Sequence, residues 1–190
     1  MRIRNFWGEA LRVSLLPWRH VNSWVCTACG ECCRGFKVVL KPEEWLTIVE
    51  KYGIDVTEVG SNKLYLKRRA DGSCIFLYRW GKFWLCGLQQ MKPKACKLWP
   101  FKILSWPKYG NARKAAYRYM GRILYVYVDP FCPGVKVGVP SKNFVNKVLP
   151  EFIEIALGLR TGQEHSTSKL PEAPSPPHPL YLRAKGRIPL

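Results

Sequence analysis

The chain has 190 residues, 47% of them hydrophobic, and its thirty-one Lys and Arg outnumber thirteen Asp and Glu for a formal net charge of +18. That length suits one domain with extensions, and the apolar content is enough to bury an ordinary core. No apolar run is long enough to span a bilayer, which excludes a transmembrane-helix class, and the charge implies attraction to polyanions such as nucleic acid or acidic protein surfaces.

In chain order the pattern predicts a small α+β protein. Residues 5–16 read as an amphipathic helix, with Trp7, Leu11 and Leu15 on one face and Arg4 and Arg12 off it. The arginines at positions 2, 4, 12 and 19 and the interrupting Pro17 leave no secretory signal, so a cytoplasmic location is expected. Residues 36–40 read as a short strand. A helix over Pro42–Tyr52 follows, with Pro42 in its first turn, Glu43 and Glu44 near the positive end of the dipole, and Gly53 after its end. Trp45, Ile48, Val49 and Tyr52 form its apolar face. Residues 63–69 alternate like a half-exposed strand, and 74–80 with 82–88 read as a hairpin around Gly81. Residues 118–128, rich in Tyr, Val and Ile, read as one strand. Ser141 caps a helix that Pro150 kinks or restarts before it ends near Gly162. The expected organisation is a lead-in helix over 1–23, a metal-binding domain over 24–135, a helical segment over 136–162, and a Pro-rich basic tail without fixed structure over 163–190.

The cysteines organise this reading. Cys26, Cys29, Cys32 and Cys33 fall within eight residues, and Cys74, Cys86, Cys96 and Cys132 follow singly. A disulfide closing so short a loop constrains the unfolded chain little. Two residues between cysteines is instead the metal-knuckle spacing of zinc ribbons and of ferredoxins. Gly30 suits the tight turn, because glycine tolerates positive φ. All eight thiols are therefore candidate ligands. Adjacent residues of an extended segment point to opposite faces, so Cys32 and Cys33 are expected to serve different sites, or one of them none. One division gives a [4Fe–4S] cluster to Cys26, Cys29, Cys32 and the ferredoxin-like Cys132-Pro133, leaving Cys33, Cys74, Cys86 and Cys96 as a second four-thiolate site. The alternative is a single site with the remaining cysteines structural. A four-thiolate site suits zinc as well as iron; the Cys-x₂-Cys-x₂-Cys run leans towards iron–sulfur.

These residues resemble the CxxCxxCC (YkgJ-like) cysteine-cluster family. The resemblance rests on Cys26-x₂-Cys29-Gly-x-Cys32-Cys33-Arg34, Gly72-x-Cys74-x-Phe76-Leu77, Cys86, Lys92-Pro93-x₂-Cys96-x₂-Trp99-Pro100-Phe101 and Cys132-Pro133-Gly134. Lys92 stands where the family commonly has arginine, and Trp99 where it often has phenylalanine. The resemblance implies a zinc- or iron-chelating domain, one that the flagellin lysine-N-methylase shares. No phosphate loop, dinucleotide turn, zincin helix or nucleophile elbow is present, and His20, His165 and His178 lie outside the motif span. Two functions follow as expectations: an Fe–S protein in electron transfer or methylase-like modification of a partner, or a zinc-stabilised basic module binding RNA or a nucleoprotein. The densest basic segment is Lys63-x₃-Lys67-Arg68-Arg69.

Overall fold

The computed structural model describes residues 3–4, 10–11, 14–170 and 178–179. The protein is α+β, built of short helices and small antiparallel sheets. Its contacts divide it into two units, the first from Met1–Cys26 with Leu98–Ser168 and the second from Thr27–Lys97 with Lys169–Leu190.

In chain order the strands are β1 (Ile3–Arg4), β2 (Ala10–Leu11), β3 (Leu16–Pro17), β4 (Val21–Trp24), β5 (Val39–Leu40), β6 (Thr57–Gly60), β7 (Lys63–Leu66), β8 (Leu77–Trp80), β9 (Phe83–Cys86), β10 (Phe101–Leu104), β11 (Ala116–Tyr119), β12 (Arg122–Val128) and β13 (Val135–Val137). The α-helices are α1 (Glu31–Arg34), α2 (Pro42–Tyr52), α3 (Lys94–Leu98), α4 (Ala112–Ala115) and α5 (Leu149–Leu157).

The first unit is centred on an antiparallel sheet in the order β10-β12-β11, with β3 also paired to β12; β4 pairs with β13. Leu124, Val126 and Val128 alternate along β12 and turn inward, as the two-residue strand period requires. They meet Phe101, Phe144 and Phe152, which are fully or almost fully buried. Trp24 packs edge-on against Phe101 and Phe152 at centroid distances of 5.6 and 5.2 Å. The expected single strand over 118–128 is instead a hairpin, β11 to β12, turning at Met120 and Gly121 with φ of 46° and 76°. Methionine is an unusual residue in that left-handed position, so the turn lacked its usual Asn or Asp marker.

Ser141 caps the C-terminal helix as expected: its Oγ accepts the Phe144 amide at 3.2 Å. Pro150 stands in the first turn of α5, where regular α-helix restarts. A π-helical turn over Phe144–Val148 precedes α5, and such a wider turn adjusts the ladder where proline supplies no N–H. The helix expected over residues 5–16 falls mostly outside the described residues. Within it, Ala10–Leu11 pair as a strand with Ile3–Arg4, and Leu16 belongs to β3. Of the tail expected from residue 163, residues 165–169 form turns and Ser166 is fully buried. The remainder lies outside the described residues, except His178 and Pro179.

Gly134 marks the tightest approach in this unit. A Cβ there would stand 2.1 Å from the Val25 carbonyl oxygen and 3.1 Å from Trp24 Nε1. The obstacle is backbone and cannot swing aside. Gly134→Ala is therefore expected to lower stability by about 3 kcal/mol, the upper end of ordinary overpacking, read as a lower urea midpoint. An unchanged midpoint would show that the Val25 carbonyl and residue 134 are not this close.

The second unit has a three-stranded sheet, β5-β7-β6, a hairpin, β8-β9, and α2. Helix α2 has the expected bounds. Its Ile48 is buried, Trp45 donates from Nε1 to Thr57 Oγ1 at 3.1 Å, and Tyr52 packs edge-on against Phe76 at 5.0 Å. Among the described residues no helix is long and apolar enough to cross a membrane.

Candidate metal centre

The cysteine motif opens on a turn that only its own residues allow. Ala28 and Gly30 both adopt positive φ, 53° and 77°. A side chain at Gly30 would meet Trp84 Cβ at 2.9 Å, so glycine is required here both for conformation and for space. The Trp84 amide donates to Ala28 O at 2.7 Å and fastens the turn to the β8-β9 hairpin. Arg34 lies over the Trp84 ring at 4.3 Å and donates to Cys29 O at 3.2 Å. The turn then enters α1, whose first coil carries Cys32 and Cys33.

That helix changes the reading of the adjacent pair. Cys32 and Cys33 are not on opposite faces of an extended segment. On a helix their side chains diverge by about 100°, and their Sγ atoms stand 3.9 Å apart. Two thiolates on one tetrahedral zinc at ordinary bond lengths are about 3.8 Å apart. The steric objection to their sharing an ion is therefore removed.

Three more cysteines pack into the same core as this pair. Cys74 lies in a tight loop before β8, not on the strand itself; its amide donates to Cys33 O at 2.8 Å. The loop is fixed by Asp71, whose carboxylate accepts the Ser73 amide and hydroxyl at 2.9 and 2.7 Å, and by Arg69, which donates to the carbonyls of Ile75 and Leu77 at 2.7 and 2.6 Å. Cys86 ends β9, opposite Leu77. Cys96 lies on α3, the start of which is capped from a distance: Glu44 Oε1 accepts the Lys94 amide at 2.6 Å, while its Oε2 accepts the Lys41 amide at 3.0 Å.

The thiols interact electrically as one group. Hydrogen bonding to Cys33 holds the Cys86 thiol down at about 6 and also lowers Cys32, with Lys92 favouring the charged form of both. Cys33 is raised well above an ordinary thiol by its bonds to Cys32 and Cys86 and by burial. Burial pushes Cys74 up to about 12 and also raises Cys96. As the side chains stand, no three His, Cys, Asp or Glu among the described residues converge on a single metal position. Four-coordination requires side-chain rotation within the cluster. The donor set fits chelation of a soft ion, because five sulfurs with a cationic Lys92 beside them suit zinc or iron.

The other cysteines are placed differently. Cys29 is bridged through its backbone to Trp84 in the second unit. Cys26 and Cys132 belong to the first unit, where Cys132 is buried and its Sγ accepts the Trp24 Nε1 hydrogen at 3.1 Å.

The model of one protein family, CxxCxxCC, described as a "Putative zinc- or iron-chelating domain", matches residues 25–122, just over half of the chain. The chain belongs to the CxxCxxCC family. No curated protein and no solved structure matches it. The CxxCxxCC assignment agrees with the resemblance drawn from the residues and makes this a metal-chelating domain of the zinc or iron kind.

Four supporting residues were not legible as such in the sequence. Glu44 shows a capping-box position, but its second bond reaches fifty residues along the chain. Lys92 was legible only as a family position. Arg68 and Arg69 were read as part of a polyanion-attracting run. They turn inward instead: Arg68 donates to the carbonyls of Gly72 and Arg34, and Arg69 to those of Ile75 and Leu77. The signal that could have separated them from Lys63 and Lys67 is the neighbouring Asp71-Gly72-Ser73 turn, which presents carbonyls needing donors.

Proposed function

We propose that Cys32, Cys33 and Cys86 supply three ligands to one tetrahedral ion, with Cys74 or Cys96 as the fourth, and that the ion is zinc acting as a redox-inert staple for the second unit. The observation that carries this is the 3.9 Å separation of Cys32 and Cys33 Sγ. It suits two thiolates on one ion, whereas a [4Fe–4S] cluster takes its thiolates on separate irons. At a thiolate site open to both metals, zinc binds more tightly than ferrous iron. The bound ion would supply folding energy through its ligands. The chain's own part is to bring four segments together: the α1 turn, the Asp71-Ser73 loop, the end of β9 and the start of α3. The thiols require a reducing compartment, and we place the protein in the cytoplasm on that ground.

A second reading keeps the Cys26, Cys29, Cys32 and Cys132 set as a [4Fe–4S] ligand group serving electron transfer or methylase-like modification of a partner. Its support is the Cys-x₂-Cys-x₂-Cys spacing and the Cys132-Pro133 pair. Zinc, iron and acid-labile sulfide measured per chain after oxygen-free purification decide between them. Stoichiometric zinc without sulfide is expected. Stoichiometric iron and sulfide would overturn the zinc reading. Stripping the metal with a chelator is expected to lower the Tm and restoring zinc to recover it, because the unfolded chain lacks the site.

A further inference from the structure

The first unit has a second feature with its own chemistry, independent of which metal the second unit holds. Residues 98–128 contain Lys102, Lys108, Arg113, Lys114, Arg118 and Arg122 and no acidic residue. The carboxylates that come later in this unit are engaged within it. Glu154 accepts from Tyr119 Oη at 2.8 Å and Arg160 Nε at 2.7 Å, and Glu151 accepts the amides of Glu164 and His165 at 2.9 and 2.7 Å. The stretch itself carries six cationic side chains and no anionic one.

Two aromatic rings stand out on this stretch. After β10 the chain turns through Trp106 and Tyr109, which are 56% and 42% exposed. The turn is closed by backbone bonds: the Lys108 amide donates to Trp106 O at 2.9 Å and the Gly110 amide to Pro107 O at 3.2 Å. Below it the buried Tyr127 donates its hydroxyl to Gly110 O at 2.6 Å, and its ring meets Tyr109 edge-on at 5.3 Å. Lys108 Nζ lies 5.9 Å from the Trp106 ring. Arg113 and Lys114 follow, exposed, on α4. On the sheet beside the turn, register sets Leu104, Tyr125 and Ala116 in one row and Ile123 beside Arg118 in the next. Ile123 is 52% exposed.

We propose that this turn and the adjoining outer sheet face bind single-stranded nucleic acid, with a base stacked on Trp106 and phosphates held by Lys108, Arg113, Lys114 and Arg118. Exposed aromatics on a cationic surface give sequence-tolerant stacking, because every base has a π-face. A duplex hides those faces, so the surface selects single strands. An anionic lipid surface shares the charge requirement, but insertion calls for a contiguous apolar edge. Here the rings stand on a turn closed by backbone hydrogen bonds and are flanked by Pro107 and Lys108.

The test is fluorescence anisotropy of the full, metal-loaded chain with labelled oligouridylate, oligothymidylate and a duplex of equal length, across a salt series. Both single strands are expected to bind more tightly than the duplex, and a preference between them names RNA or DNA as the source. Trp106→Ala is expected to weaken single-strand binding about fivefold or more with the salt slope unchanged, since the ring carries no charge. Trp106→Phe should recover most of that loss. Lys108→Ala should reduce the slope by about one. Circular dichroism and metal content of each variant should match the parent. Equal binding by Trp106→Ala, equal affinity for the duplex, or binding to phosphatidylserine vesicles in place of oligonucleotides would each overturn the proposal.

Discussion

Replacing Cys33 by serine is expected to cut bound metal about tenfold or more, the scale seen when even a supporting residue of a metal site is lost. Cys33 is buried and lies at the middle of the thiol group: Cys32 Sγ is 3.9 Å away, Cys33 hydrogen-bonds with Cys86 as well, and its carbonyl takes the Cys74 amide. Serine preserves that carbonyl bond but offers a hard oxygen in place of a soft sulfur. The backbone scaffold thus survives while the ligand is lost, and the second unit should lose the stabilisation that the ion gives. Metal per chain and the Tm are the two readouts. Cys32→Ser then tests how the thiols divide. If Cys32 shares the ion with Cys33, it loses metal to a similar degree. If Cys32 belongs to a separate set with Cys26, Cys29 and Cys132, the site at Cys33 keeps its metal, and the shared-ion proposal fails. Single replacement of Cys74 or Cys96 should be milder, because either can stand in for the other; loss of all metal from each would show that both are ligands.

What could be read ahead of the fold depended on the range of the interaction. Helix α2 was legible to the residue, because Pro42, Glu43, Glu44 and Gly53 act within one turn of its ends. So was the need for Gly30, since the φ of a turn is a local property. The β8-β9 hairpin was legible around Gly81, although the strands proved shorter and Cys74 fell in the loop before them. The relation of Cys32 to Cys33 was not legible, because it depends on whether that short segment is extended or helical. Four residues of helix have no periodicity to detect. The gathering of Cys74, Cys86 and Cys96 around Cys33 could be guessed only from the motif. Its physical cause lies in the Arg69 and Glu44 bonds, which link positions that no local pattern connects.

Glu151→Ala is expected to destabilise the first unit by about 3–5 kcal/mol, the cost of removing one partner from a buried ionic group. The Glu151 side chain has no exposed surface. It lies on α5 and gathers the start of what the sequence presents as a tail: the Glu164 and His165 amides at 2.9 and 2.7 Å, the Ser166 amide at 3.4 Å and the Ser166 hydroxyl. Arg160 Nη1 lies 3.8 Å from the same carboxylate. Ser166 O in turn accepts the Cys26 amide at 2.9 Å, so the carboxylate also fixes the chain where the cysteine motif begins. Alanine would leave the buried donors of residues 164–166 without an acceptor and remove a negative charge facing the Arg160 guanidinium, and each unsatisfied group adds to the cost. Composition could not reveal this, because residues 163–170 have little apolar surface and are held instead by one carboxylate more than ten positions upstream. Hydrogen exchange separates this role from general loss of packing. In Glu151→Ala the amides of residues 164–166 should lose protection before the Phe101, Phe144 and Phe152 core does. Glu151→Gln, which keeps one acceptor oxygen but not the charge, should fall between the two. A loss below about 0.5 kcal/mol for Glu151→Ala, the range of ordinary surface changes, would mean that residues 164–166 are not held by this carboxylate.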